Sequence, residues 1–195
     1  MPLLLFLLFS HGINCIKLKK LKITFTGPES SGKSTISKAV ANHFDAHWFA
    51  EHARVYLLER DGKYDFEDIE KIAIEQDQIR ISDEKSGIKI YDTDNTVLYI
   101  WSTFKYKKCA DSIQSLMESQ RFAHYFLCSP EGIPWEEDPL RESPNHREEL
   151  FELYLDELKK QKVDFTILEG GFEERKEKAI EIIEEIMLSK GGFCV

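Results

Sequence analysis

Residues 21–35 constrain this chain more than any other stretch. An apolar, β-branched run ends at Gly27, and Pro28, Glu29, Ser30 and Ser31 lead to Gly32, Lys33, Ser34 and Thr35. A helical pattern starts at once. The pattern G-x-x-x-x-G-K-[ST] between a strand and a helix is a phosphate-binding loop. Its glycines let the backbone turn so that successive N–H groups point inward and cradle phosphate oxygens. Lys33 is placed to reach the β- and γ-phosphates, and the Ser34 hydroxyl to ligate Mg²⁺. ATP and Mg²⁺ are therefore the expected cofactors, with residues 27–35 holding the nucleotide.

The remaining chain alternates strand and helix. Strands are expected at 23–26, 47–50, 88–91, 123–128 and 163–168. Helices are expected at 34–44, 51–60, 66–82, 96–106, 110–118, 147–161 and 174–188. Such alternation predicts an α/β fold with three layers, about five parallel strands and helices on both faces. Residues 129–145 are irregular and proline-rich. A compact domain rarely keeps so long a structureless stretch unless it is a lid or binding loop, so a lid is placed at about 129–148.

The chain has 195 residues, of which 42% are hydrophobic and 31% charged, which suits one domain, placed at 20–190. A net charge of −9 argues against nucleic acid or an anionic membrane surface as partner. The four cysteines, Cys15, Cys109, Cys128 and Cys194, form no C-x-x-C pair and read as reduced thiols of a cytoplasmic protein. The apolar residues 1–9 are too few to span a bilayer. They lack the flanking charge and cleavage pattern of a signal peptide, so 1–19 reads as an extension, with no stable membrane insertion expected. The oligomeric state is left open.

Ligands of open α/β sheets bind outside the carboxyl ends of the strands. After the second strand come Glu51 and, one turn on, Arg54. Glu51 suits a base facing an acceptor hydroxyl. Arg54 suits a sugar hydroxyl or phosphate, or an i, i+3 pair with Glu51. After the third strand come Tyr91, Asp92 and Asp94. One aspartate is expected to serve Mg²⁺ beside Ser34 and the other a substrate hydroxyl, although Asp-Thr-Asp-Asn is also good helix-capping chemistry. In the lid, Arg141 and Arg147 suit bracing of phosphoryl oxygens, and Trp135 suits stacking on a flat ring, as do Trp48, Tyr91 and Trp101. His52, His124 and His146 read as incidental.

These residues together carry a resemblance. Gly27-Pro-Glu-Ser-Ser-Gly-Lys-Ser-Thr35, Glu51-His-Ala-Arg54-x-Tyr56-Leu, Ile72-Ala-x-x-Gln76, Asp92-Thr-Asp94, Pro134-Trp-Glu-x-Asp138-Pro-Leu-Arg141 and Arg147-x-x-Leu-Phe resemble, in this order, the kinase domain of NadR-type ribosylnicotinamide kinases. The resemblance covers roughly residues 20–188. It implies ATP-dependent phosphorylation of the 5′-hydroxyl of nicotinamide riboside to nicotinamide mononucleotide, a salvage route to NAD. It places Lys33, Glu51, Asp94 and Arg141 in catalysis and Arg147 with ATP. Glu51, Arg54, Tyr91, Asp94 and Trp135 would meet the riboside, and Ser34 with Asp92 or Asp94 the metal. Two departures stand out. No H-x-G-H motif of an adenylyltransferase domain is present, and Ala50, just before Glu51, is too small to stack on the nicotinamide ring. The alternatives are a deoxynucleoside or nucleotide acceptor and a regulatory ATPase without a small acceptor. Against a GTPase switch, N-K-x-D and a D-x-x-G after the third strand are both missing.

Overall fold

The structure, a computed structural model, describes residues 20–190. The 1–19 extension, Cys15 and Cys194 lie outside the described residues. The elements run β1 (Leu21–Thr26), α1 (Lys33–His43), β2 (His47–Phe49), α2 (His52–Leu58), α3 (Phe66–Ser82), β3 (Ile88–Tyr91), α4 (Asn95–Tyr106), α5 (Asp111–Ser119), β4 (His124–Cys128), α6 (Arg147–Gln161), β5 (Phe165–Leu168) and α7 (Phe172–Ser189).

All strand pairs are parallel, in the order β2-β3-β1-β4-β5. Helices cover both faces of such a sheet, so the central strand β1 is buried on both sides, Thr24 and Thr26 included. Ile23 and Phe25 of β1, with Phe126 and Cys128 of β4, face α1 and α7 and meet Ile36, Val40, Ala179 and Ile183. Tyr125 and Leu127 point the other way, against Ile100 of α4 and Leu150, Tyr154 and Leu158 of α6. A third cluster joins α2, α3, α4 and α5 through Leu57, Ile69, Ile72, Leu98 and Ile113. This is the expected three-layer architecture. Among the described residues no helix is long and apolar enough to cross a membrane.

Boundaries shift where they matter most. β2 stops at Phe49, one residue short of the expected end. Glu51 is the N-cap of α2, in an extended conformation (φ −63°, ψ 115°), and not its first helical residue. Its side chain makes no capping bond. The strand-to-helix corner thus presents a carboxylate at the carboxyl edge of the sheet without spending it on the helix.

Candidate active site

β1 ends against the turn that begins at Gly27. Gly27 has φ 131°, and a Cβ there would lie 2.7 Å from the Cys128 carbonyl at the end of β4. The loop can lie this close to β4 only as glycine. Ser30 (φ 49°) and Gly32 (φ 80°) supply two left-handed turns, and Gly32 is the N-cap of α1. Lys33 folds back, its Nζ donating to Pro28 O at 2.6 Å across the loop.

Asp92 sits where β3 runs out, its N–H still pairing with Phe49 O of β2 at 2.9 Å. Its Oδ1 accepts from Ser37 Oγ on α1 at 3.1 Å, and Trp48 Nε1 donates to the same Ser37 Oγ at 3.0 Å. Burial, and then the neighbouring Glu51 carboxylate, push Asp92 up to about 6, against the opposing pull of Ser34, Lys33 and Ser37. The loop lysine, the loop serine, Asp92 and Glu51 therefore share one locality. Among the described residues, Glu51 has no capping bond to tie it elsewhere.

The structure separates the two aspartates. Asp94 is fully buried. Its Oδ1 accepts from Thr96 N at 2.9 Å and Val97 N at 3.3 Å, the capping arrangement for α4, and from Thr26 Oγ1 at 3.4 Å. Its Oδ2 has no partner among the described residues. Burial raises Asp94 to about 6 as well.

Asp92 yields a test with a definite sign. A carboxyl whose folded pKa is about 6, against an unfolded value near 4, holds its proton more tightly in the folded chain. Its contribution to stability is complete below pH 4 and is lost as pH rises through 6. Above that, the ionised group costs on the order of 2 kcal/mol. Asp92→Asn is expected to raise the melting temperature at pH 7.5 by roughly 5 °C. It should also reduce, without abolishing, the rise in stability expected of the parent from pH 7.5 to 5, since Asp94 contributes a rise of the same sign. Thermal unfolding across pH in EDTA measures both. A parent-like melting temperature for the variant at pH 7.5 would contradict the strained carboxylate.

A cleft opens beside Glu51 at the carboxyl ends of β2 and β3, lined by Phe49, Ala50, His52, Gln76, Arg80 and Tyr91, among others. The Phe49 and Tyr91 rings stack at 4.4 Å with a 10° tilt. Tyr91 is expected from sequence to stack on a substrate, but it is 1% exposed and Phe49 takes its ring face. Phe49, which no sequence motif singles out, is the half-buried aromatic of this wall. Three buried polar atoms of the lining, Gln76 Oε1, Tyr91 Oη and Thr93 Oγ1, have no partner among the described residues. Behind them Gln76 Nε2 donates to Asn95 Oδ1 at 3.2 Å, and Arg80 is tied to Asp77 and Gln120. Trp48 stands outside this cleft, on the α1 side with Ser34, Thr35 and Lys38.

The segment from Ser129 to His146 is without helix or strand and lies over the loop. Arg141 Nη1 meets Ser30 Oγ at 2.9 Å and Glu136 O at 2.9 Å. Arg147 Nη1 meets Ser30 O at 3.0 Å and Ile133 O at 2.9 Å, with its guanidinium 5.9 Å from the Trp135 ring. Glu29, expected among the nucleotide ligands, points the other way, its Oε2 accepting from Glu142 N and Ser143 N of the lid. Arg54 pairs with Asp138 of the lid at 2.6 Å, and not with Glu51. Glu142 is further bound by Tyr64 and by Lys105 at the end of α4. Among the described residues no three His, Cys, Asp or Glu side chains converge on a metal position. A hard cation held by one hydroxyl, one carboxylate and phosphate oxygens needs no such cluster.

A family model described as an AAA domain matches residues 22–175. The trifunctional NAD biosynthesis/regulator protein NadR of Salmonella typhimurium (strain LT2) is 26% identical over 178 residues, covering 87% of this chain and 43% of NadR. NadR of Escherichia coli (strain K12) is 26% identical over 174 residues, covering 85% and 42%. The chain spans less than half the length of these relatives. Among solved structures, NadR in complex with NR superimposes with a TM-score of 0.70 at 19% identity, covering 86% of this chain and 50% of that one. Deoxyadenosine kinase from M. mycoides superimposes with a TM-score of 0.57 at 14% identity, covering 85% of this chain and 100% of the kinase. The fold is thus that of P-loop nucleoside kinases. The chain belongs to the AAA-domain family of P-loop proteins and is similar to the NadR proteins.

Proposed function

We propose that this chain transfers the γ-phosphoryl group of ATP to the 5′-hydroxyl of nicotinamide riboside, giving ADP and nicotinamide mononucleotide. The observation that carries the reading is the meeting of a phosphate loop bearing Lys33 with the acidic strand ends, Glu51 and Asp92, beside a small aromatic-walled cleft. Similarity to NadR, which has been solved with NR and with NAD and AMP-PNP, supports the choice of riboside.

Phosphoryl transfer needs positioning and charge stabilisation more than covalent help from the protein. The acceptor oxygen forms its bond to the γ-phosphorus as the bond to the β-bridging oxygen breaks, and the electron pair leaves with ADP. Glu51 receives the hydroxyl proton or orients the attack. Lys33 neutralises oxygens as charge moves toward the leaving group. Mg²⁺ would be held by the Ser34 hydroxyl and Asp92, and supplies further neutralisation of the phosphates. Asp94 acts as the cap that sets the start of α4 beside this centre. Arg141 brings a lid charge onto Ser30. Trp135 stands over the loop from the lid side.

The test is mass-spectrometric detection of nicotinamide mononucleotide from nicotinamide riboside, ATP and Mg²⁺, with deoxyadenosine and deoxycytidine as parallel acceptors. Turnover of nicotinamide riboside at least tenfold above the deoxynucleosides is the expected result. Turnover of a deoxynucleoside alone would overturn the choice of acceptor. ATP hydrolysis with no phosphorylated acceptor would overturn the kinase reading.

A further inference from the structure

Arg175 plays no part in the phosphoryl transfer itself, yet it heads the largest fully buried side chains, at 1% exposure. Its hydrogen bonds all go to main-chain carbonyls. Nε donates to Gly170 O at 2.7 Å, Nη1 to Ser31 O at 3.0 Å and Ser129 O at 2.8 Å, and Nη2 to Glu131 O at 3.2 Å. It lies in the first turn of α7, where the helix dipole disfavours a cation. Burying a guanidinium is costly unless each donor is matched, so neither the helix nor burial explains its presence.

The loop does explain it. In a trans peptide the carbonyl and the following N–H point in opposite directions, and the chain has no cis bonds among the described residues. A loop that aims N–H groups at phosphate must therefore turn its carbonyls outward, where they need donors. Ser30 O finds Arg147, and Ser31 O finds Arg175, each at 3.0 Å. Pinning Ser31 O on the outside aims Gly32 N–H to the inside. The same fork takes Ser129 O and Glu131 O, where the lid leaves β4.

We propose that Arg175 is a positioning residue for the nucleotide's phosphates. It holds the back of the phosphate loop so that Gly32 N–H faces inward, and it ties the root of the lid to the loop. The inference rests on the reading of residues 27–35 as a triphosphate site.

Calorimetric titration with ATP and with adenosine, on the full chain and on Arg175→Met, tests it. In the variant the dissociation constant for ATP should rise at least tenfold, while that for adenosine and the KM for the riboside stay within twofold. Arg175→Lys keeps the charge but loses the planar fork, and should fall between the two. A merely structural role would weaken all ligands alike and lower the melting temperature in proportion. Parent-like ATP affinity in folded Arg175→Met, or equal losses for ATP and adenosine, would overturn the proposal. If Arg175→Met does not fold, Arg175→Lys is judged by the same two criteria. A parent chain that binds no ATP overturns the triphosphate reading and this inference with it.

Discussion

Lys33→Met should lower kcat for the proposed phosphoryl transfer by about 10³-fold while leaving the melting temperature within a few degrees of the parent. A preorganised donor aimed at developing charge contributes roughly 10² to 10³ in rate, and Lys33 adds a full positive charge to that geometry. The folded state loses little, because Lys33 is only half-buried and its bond to Pro28 O is replaced readily by water. Steady-state kinetics beside thermal unfolding separates these effects. A variant that retains a tenth of the parent kcat would show that the lysine does not meet the transferring phosphoryl group.

The largest stability effect is expected at Gly27. A Cβ there would meet Cys128 O at 2.7 Å and Cys128 N at 3.3 Å, both main-chain atoms of the neighbouring strand, and φ is +131°. Left-handed strain costs about 1–3 kcal/mol and overpacking a further 1–3. Gly27→Ala should therefore lose about 2–6 kcal/mol, a large share of the stability of an ordinary domain. Gly32 is the internal control. Its φ is +80°, but nothing lies within 4 Å of where a methyl group would stand, so Gly32→Ala should cost only about 1–2 kcal/mol. Urea unfolding of the two variants gives the ranking, and equal losses would refute the steric argument.

The layers of the fold were legible because local signals agreed with one another. Ile23 and Phe25 alternate with Thr24 and Thr26, all four buried in a strand covered on both faces. Asp65 and Asp68 form a capping box at the start of α3. The strand ends then located the candidate site, since ligands of this architecture gather there. What sequence pattern did not reach are ties between distant segments. Arg54 and Asp138 are 84 residues apart, Tyr64 and Glu142 are 78, and Arg175 and Ser31 are 144. No periodicity encodes such pairs, because they exist only once the sheet order has been set. A local trace of one was present: a basic residue in the first turn of α7, where an acidic one is favoured. Phe49 was hidden for another reason. It closes a strand of three residues, too short for its alternation to show which face it takes.

Helix α4 joins the acidic end of β3 to the lid. Its twelve residues span about 18 Å. At one end Asp94 fixes its first turn two residues beyond Asp92, and at the other Lys105 grips Glu142. The helix therefore holds the acidic pair and the lid's outer edge at a fixed separation, its buried face (Leu98, Ile100 and Ser102) clamped between its neighbours.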